Sequence, residues 1–401
     1  MPLAGNSVFA IWIRRNKMFV EVAGTLNCAG TGVLVALLGF FIFRFFKKKK
    51  SSEQSGDALD FVIVGQGLAG TLLALELEKR GRKVLVVDDG WKTAASQVAA
   101  GVLNPVTGMR IVKTLGADDL VPAAKRVYAD LGERFGETFF HETPFYRFYT
   151  SEHEREVKAK REKNPEYAGW LSADVPAGTL CGGGLADRLG GFFVNRAGWL
   201  DIPKLLDRTR EEWRSRGVFL EENFDYNDVE TSRAGVKWRG REVQGGIIFC
   251  EGFRVRENPW FLHLKWQPAK GEFVEIELAG TDVFQGQILK SSVAAIPLGG
   301  TRWRVGTNYD RDVLDTHPTA EVAERLRRSF CAAFSPAKSA DEAKIVAHRA
   351  GVRPAVQGTL PKVGAHEKFS KLFLFNGFGS KGVTWLPLYA ERFAEKLSGI
   401  A

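Results

Sequence analysis

Cysteine and histidine are scarce and scattered. The four cysteines, Cys28, Cys181, Cys250 and Cys331, stand far apart with no C-x-x-C pair. That spacing speaks against a zinc knuckle or a disulfide framework and favours a reducing compartment. The six histidines occur singly, with neither H-E-x-x-H nor any other paired spacing, so no metal site is expected. Internal repeats and low-complexity tracts are also missing. A chain of 401 residues that is 45% hydrophobic and 11% aromatic is neither disordered nor collagen-like, and it can bury a large core.

Negative charge is short at one end only. Residues 1–50 hold eight basic side chains and one acid, Glu21, whereas the other 351 hold 48 basic and 46 acidic. The formal charge of +9 therefore falls to +2 over the body. A surface that coats nucleic acid needs a basic excess where it binds, so a nucleic-acid partner is not expected.

The basic end encloses an apolar stretch. From Ala23 to Phe46 the chain is uncharged up to Arg44, and Lys47 to Lys50 follow. About 20 apolar residues cross a bilayer, so a single transmembrane helix over about 23–46 is expected. No Ala-x-Ala site follows the run, which argues against a cleaved signal. Five basic residues after the span against three before it place the C-terminal body on the cytoplasmic side of the membrane. A start at Met18 rather than Met1 sharpens that bias. Ser51 to Ala58 is small and polar, as a tether is.

Beyond the tether, strand-like and helix-like runs alternate as an α/β fold requires. Asp60–Val64 reads as a buried strand, Ala69–Arg80 as a helix and Lys83–Val87 as the next strand. Between the first two lies Gly65-Gln-Gly67-Leu68-Ala69-Gly70, a G-x-G-x-x-G directly after a strand and opening a helix. In that context Gly65 permits the tight turn, Gly67 lets backbone approach a pyrophosphate, and Gly70 allows close helix packing. The phosphates then meet free N–H groups, including those of Leu68 and Ala69, at the positive end of the helix. Asp88 arrives 18 residues after Gly70, at the end of the second strand, where a carboxylate accepts from ribose hydroxyls. The motif alone does not separate NAD from FAD.

The next stretch, Ser96-Gln-Val-Ala-Ala100-Gly101-Val-Leu-Asn104-Pro105, is a small-residue run against which a flat ring can lie. Together with the strand, glycine turn and acid it resembles the D-amino-acid oxidase superfamily of FAD-dependent oxidoreductases, which includes glycine oxidase and sarcosine oxidase. The resemblance implies non-covalent FAD and puts Ser96, Ala100, Gly101 and Asn104 near it. It extends through Gly198-Trp-Leu-Asp201 and Arg216-Gly-Val, through Gly246 to Gly252, and through Pro268 to Ile276 and Val305-Gly306-Thr307. It ends with Gly351-Val-Arg353-Pro354, Pro361, Gly364 and Asn376-Gly377-Phe-Gly379-Ser380-Lys381-Gly382. It covers nearly all of 60–401 and none of the anchor. The family usually has a small residue where Cys250 stands.

The fold so implied is α/β. A Rossmann-type FAD-binding domain with a parallel sheet (59–110, 191–260 and 345–401) interleaves with an α+β substrate domain (111–190 and 261–344) on a mostly antiparallel sheet, behind an anchor and linker (1–58). The chemistry implied is oxidation of a C–N bond in a small amine or amino acid by hydride transfer to flavin N5, the imine then hydrolysing. Oxygen or quinone would take the electrons. Arg353 matches an arginine that holds the substrate carboxylate in glycine-oxidase-like members, a task suited to a planar guanidinium. Lys381 stands where such enzymes have Gly-Ser-Arg-Gly or similar, and a cation there can stabilise charge on reduced flavin. Gly252, Gly377, Gly379, Ser380 and Gly382 are expected against the cofactor. Ala294-Ala-Ile-Pro297 stands where several members carry an aromatic before the strand proline, which suggests a roomier or differently closed pocket. His141, Tyr146, Tyr149 and Trp303 read as packing residues. The run from Gly379 to Glu391 is closer to the oxidoreductase half of the bifunctional tRNA 5-methylaminomethyl-uridine enzymes, which makes a tRNA carboxymethylamino oxidase an alternative.

Overall fold

A computed structural model of the chain describes residues 58–399, apart from Trp91, Cys181–Gly183, Gln285, Ser335, Pro336 and Thr359. The stretch read as membrane-spanning, and all but the last residue of the tether, lie outside the described residues. Among the described residues no helix is long and apolar enough to cross a membrane.

The chain begins β1 (Leu59–Val64), α1 (Leu68–Lys79), β2 (Val84–Asp88), α2 (Ala117–Phe135), β3 (Phe145–Phe148), α3 (Glu152–Glu162), β4 (Leu171–Val175) and β5 (Gly191–Val194). It continues α4 (Ile202–Ser215), β6 (Phe219–Glu221), β7 (Arg241–Phe249), β8 (Ala269–Glu277), β9 (Ile288–Lys290), β10 (Ala294–Gly299) and β11 (Arg302–Gly306). It closes with α5 (Ala320–Phe334), β12 (Lys344–Arg353), β13 (Lys362–Ala365), β14 (Leu372–Asn376) and α6 (Gly382–Ser398).

The first sheet is a doubly wound one. β6, β2, β1, β7 and β14 run parallel in that order, and short strands at 229–238 extend it from β7. Phe61–Val64 of β1 and Ile247–Phe249 of β7 are apolar and buried at every position, as strands of a parallel sheet covered on both faces require. α1 is buried along nearly its whole length between this sheet and α6. α2 joins the same layer: the Tyr128 hydroxyl donates to the Val383 carbonyl at 2.8 Å and Arg126 pairs with Glu391 at 2.8 Å. Since β1, β7 and β14 are parallel, the loops after their carboxyl ends gather on one edge, where such sheets bind ligands. Asn376 Nδ2 ties two of those ends by donating to the Gly252 carbonyl at 2.9 Å.

The second sheet has the order β12-β8-β11-β10-β9-β3-β5-β4 and is antiparallel except where β9 meets β3. Its two faces differ. Val274, Ile276, Leu289, Trp303 and Val305 pack under α5, whose Val322, Leu326, Phe330 and Phe334 recur every fourth residue and form its apolar stripe. The other face carries Gly271, Phe273, Ala294 and Gly306 and looks into the cavity described below.

Sheet membership corrects the expected segment boundaries at three points. Residues 191–194 and 345–353, expected in the FAD-binding domain, lie on strands that hydrogen-bond into the second sheet. α2, expected in the substrate domain, packs on α6. The reason is the same each time: long-range pairing partners, not local pattern, decide which layer a strand or amphipathic helix joins.

Candidate active site

The β1–α1 turn is shaped by what cannot be added to it. Gly65 has φ +99° and a Cβ there would meet the Cys250 carbonyl oxygen at 2.6 Å. At Gly70 a Cβ would stand 1.9 Å from the Gly65 carbonyl oxygen. Gly67 is the N-cap of α1, with no side-chain cap and no acid in the first turn. The first-turn amides have no intrahelical acceptor and face the cavity at the positive end of the helix. One is steadied from outside: Leu68 N donates to Ser96 Oγ at 3.0 Å. Ser96 sits on the single helical turn Ala95–Val98, and Gly101 just beyond has both a left-handed φ of +73° and the Leu200 carbonyl oxygen 1.9 Å from where a Cβ would stand, so only glycine fits. Asp88 accepts from the Gln66 amide at 2.7 Å with one oxygen and from the Gly90 amide at 2.7 Å with the other. Each oxygen keeps a lone pair that a ribose hydroxyl can use.

These groups line a cavity of about 1210 Å³, larger than the usual small-ligand pocket. It runs from Asp88 and Tyr226, past Ser96, Ala100, Gly101 and Asn104, to Gly271, Thr307 and Arg353. A second helix start borders it: Gly379, Ser380 and Gly382 line the wall where α6 begins, again without an acid in the first turn. Uncapped helix starts at two places on one elongated cavity suit a pyrophosphate and an electron-rich ring.

Arg353 closes the far end. It extends from the last residue of β12 so that its guanidinium lies over Gly271, with Nη2 donating to Thr307 Oγ1 at 2.9 Å and the Tyr309 ring 4.6 Å away. Among the described residues no carboxylate pairs with it, and burial holds its guanidinium below the usual arginine range. A desolvated, unpaired guanidinium at a cavity wall can take a carboxylate through two parallel hydrogen bonds.

Gly65, Gly67, Leu68, Ala69, Asp88, Ser96, Ala100, Gly101, Asn104, Gly252, Gly379, Ser380, Gly382 and Arg353 thus share one cavity. Gly70, as read, packs the helix rather than lining it. Two expectations are corrected. Lys381 turns away from the cavity: its Nζ donates to Thr114 Oγ1 at 3.2 Å and lies 6.0 Å from the Trp385 ring, because the residues on either side, Ser380 and Gly382, take the inward positions. Burial lowers its pKa. Gly377, with φ +86°, shapes the turn under Val356 instead of facing the cavity. Tyr146 and Trp303 lie in the second core, Tyr149 bonds Asp174 at 2.5 Å, and His141 stacks on Trp199 at 4.3 Å.

Sequence reading missed several titratable wall residues, Glu251 and Lys290 among them. Glu251 accepts from Tyr226 Oη at 2.6 Å and Asn258 Nδ2 at 2.9 Å, and burial pushes its carboxyl up to about 7. Its position between an apolar strand and Gly252 is a signal that could have been used. Lys290, at the end of β9, is brought to the wall by strand pairing alone, for which a lone lysine carries no local signal.

A doubly wound sheet opening at its strand ends onto a cavity of this size, with a glycine turn and a ribose-ready acid on its wall and a second sheet across it, is the arrangement of a dinucleotide-binding protein. The residues fit FAD in particular, since the small-residue run from Ser96 to Asn104 and the start of α6 leave a broad wall beyond the phosphate cradle. The chain belongs to the DAO family of FAD-dependent oxidoreductases, whose family model matches residues 60–396. It is an FAD-dependent enzyme. It is 26% identical over 356 residues to a glycine oxidase of Pseudomonas putida, covering 84% of this chain and 94% of that protein. It is also 26% identical to the tRNA 5-methylaminomethyl-2-thiouridine biosynthesis bifunctional protein MnmC of Shewanella amazonensis, covering 85% of this chain but 56% of that protein. Among solved structures, glycine oxidase from Geobacillus kaustophilus superposes with a TM-score of 0.70 at 20% identity, over 86% of this chain and 95% of the other. Iminodiacetate oxidase from Chelativorans gives 0.69 at 18%, over 85% and 96%.

Proposed function

We propose that the protein oxidises the C–N bond of a small amine or amino acid that carries a carboxylate. The observation behind this reading is Arg353, a half-buried guanidinium at the cavity wall that no carboxylate among the described residues pairs with. When bound, FAD supplies the two-electron acceptor, taking hydride at N5 from the carbon that bears the neutral amine. The chain's own residues orient. Arg353, held by Thr307 Oγ1 and the Ala269 carbonyl, fixes the carboxylate. Phe273 and Ile296 supply an apolar floor that excludes water from the reacting carbon. Cofactor contact falls to Gly67, Leu68, Ala69 and Asp88 at the phosphate and ribose end, and to Ser96, Ala100, Gly101, Asn104, Gly252, Gly379, Ser380 and Gly382 along the wall. The imine product hydrolyses in water.

The test is an anaerobic panel of amines and amino acids against the yellow holoenzyme. Bleaching by carboxylate-bearing amines, lost in R353M, supports the reading; bleaching by amines regardless of a carboxylate, or unaffected by R353M, overturns it.

The apolar, basic-flanked stretch at 23–50 supports a second element: a body held at the cytoplasmic face of a membrane, where quinone rather than oxygen takes the electrons. Stoichiometric peroxide on readmitting oxygen argues for an oxidase, while rapid turnover with a soluble quinone and none with oxygen argues for a dehydrogenase. A tRNA substrate is less favoured, because the body carries a net charge of only +2.

A further inference from the structure

Two cations of the second sheet, Arg353 and Lys290, line the cavity. In strand register, Phe273 opposes Gly306, Gly306 opposes Ala294, Ala294 opposes Lys290, and Lys290 pairs with Arg147. Residues directly opposed across a sheet project from the same face, so this row runs along the cavity floor. Gly306 and Ala294 contribute almost no bulk. They leave a trough between the Thr307 end, where the Arg353 guanidinium sits, and Lys290, two strand spacings or about 10 Å away at the backbone.

The acid that acts on Lys290 through space is Glu154, which is itself committed to other partners. Lys290 Nζ donates to the Ser292 carbonyl at 3.0 Å, and among the described residues no carboxylate pairs with it. The nearby acids are engaged. Glu154 accepts from Arg147 Nε at 2.9 Å through one oxygen and from the Thr150 amide and hydroxyl at 2.9 and 2.8 Å through the other. Asp174 is held by Lys158 at 2.8 Å and by the Tyr149 hydroxyl at 2.5 Å. Burial, with a smaller push from Arg147 and against a smaller pull from Glu154, lowers the Lys290 ammonium to about 8.

We propose that Lys290 is a second anion-binding residue of the active site, and that the substrate is an amine carrying two acidic groups, one carboxylate on Arg353 and a distal carboxylate on Lys290. The inference rests on the reading of Arg353 given above. The amine and its reacting carbon then lie between the two cations, over the trough left by Gly306 and Ala294. A substrate ending in an apolar tail leaves the ammonium desolvated and unbalanced, so it binds less well.

The test uses inert probes that need no turnover. Glutarate and butyrate, alike in length and differing by one carboxylate, are titrated against the purified holoenzyme by the perturbation of the flavin absorbance. The wild type is expected to bind glutarate more than about tenfold more tightly than butyrate, the size of one charge-assisted contact. K290M removes that advantage, and K290R keeps most of it. R353M weakens both probes. The proposal is overturned if the wild type shows no preference for glutarate, a result that needs no variant to fold, or if K290M leaves the ratio unchanged or weakens both probes equally. If R353M leaves butyrate binding intact, the Arg353 reading fails instead.

Discussion

The guanidinium of Arg353 rests on the bare backbone of Gly271, where a Cβ would stand 2.1 Å from Nη2 and 2.4 Å from Nη1. The atoms in the way are the far end of a flexible side chain, so an alanine at 271 displaces the arginine rather than the sheet. G271A is therefore expected to raise KM for a carboxylate-bearing amine by about tenfold or more, since small misplacements of a positioning group are costly. The melting temperature should change by no more than a few degrees. A variant that loses stability with KM unchanged would show that Gly271 serves the sheet and not the arginine.

Gly70 and Ser96 act on the same helix start and should fail differently. In G70A the obstacle is the Gly65 carbonyl oxygen at 1.9 Å, which is backbone and cannot rotate away. Helix α1 must move off β1, and the protein is expected to be recovered without flavin or not at all. S96A deletes one hydrogen bond to the Leu68 amide, a loss of about 1 kcal/mol. That corresponds to FAD dissociation some fivefold easier, read by the flavin fluorescence released on dilution, with the fold intact.

The half of the site that lies on the β1–α1 turn was legible because its cause is local. A strand, a glycine turn and a helix start are contiguous in the chain, and the atom that excludes a Cβ at Gly70 belongs to Gly65 itself, although the one that excludes it at Gly65 comes from distant Cys250. Arg353 was legible only by resemblance, and that no carboxylate among the described residues pairs with it only from the structure. Lys290 was illegible, since it becomes a wall residue through pairing with Ala294 on one side and Arg147 on the other, and Arg147 lies far back in the chain. The boundary errors at 191–194 and 345–353 share that origin. Lys381 misled because a basic residue within a glycine-rich helix start looks inward on paper, whereas the backbone gives the inward places to Ser380 and Gly382.

That placement of Lys381 makes a prediction of its own. With Nζ on Thr114 Oγ1 and the chain over Trp385, the lysine fastens α6 to the segment before α2. K381M should leave the flavin absorption maxima and the reduction potential where they are, and cost about 1 kcal/mol or less in unfolding free energy. A shift of the potential by tens of millivolts would return Lys381 to the cofactor.

Glu251 gives the pH dependence. Its carboxyl is pushed up to about 7 from an ordinary value of 4.5, first by burial, against the hydrogen bonds it accepts from Tyr226 and Asn258. Between those two values the folded protein holds a proton that the unfolded chain has released, so stability due to this group falls as pH rises from about 4.5 through 7 and is flat above. In E251Q the side chain stays neutral, and with its amide nitrogen toward Tyr226 Oη and its oxygen toward Asn258 Nδ2 both contacts survive. The variant should match the wild type in urea midpoint near pH 5 and exceed it above pH 7 by at least about 1 kcal/mol. Saturating FAD in both samples keeps cofactor loss out of the comparison. Parallel curves from pH 5 to 8 would mean that Glu251 ionises as an ordinary surface carboxylate does, and that the Tyr226 and Asn258 donors outweigh its burial.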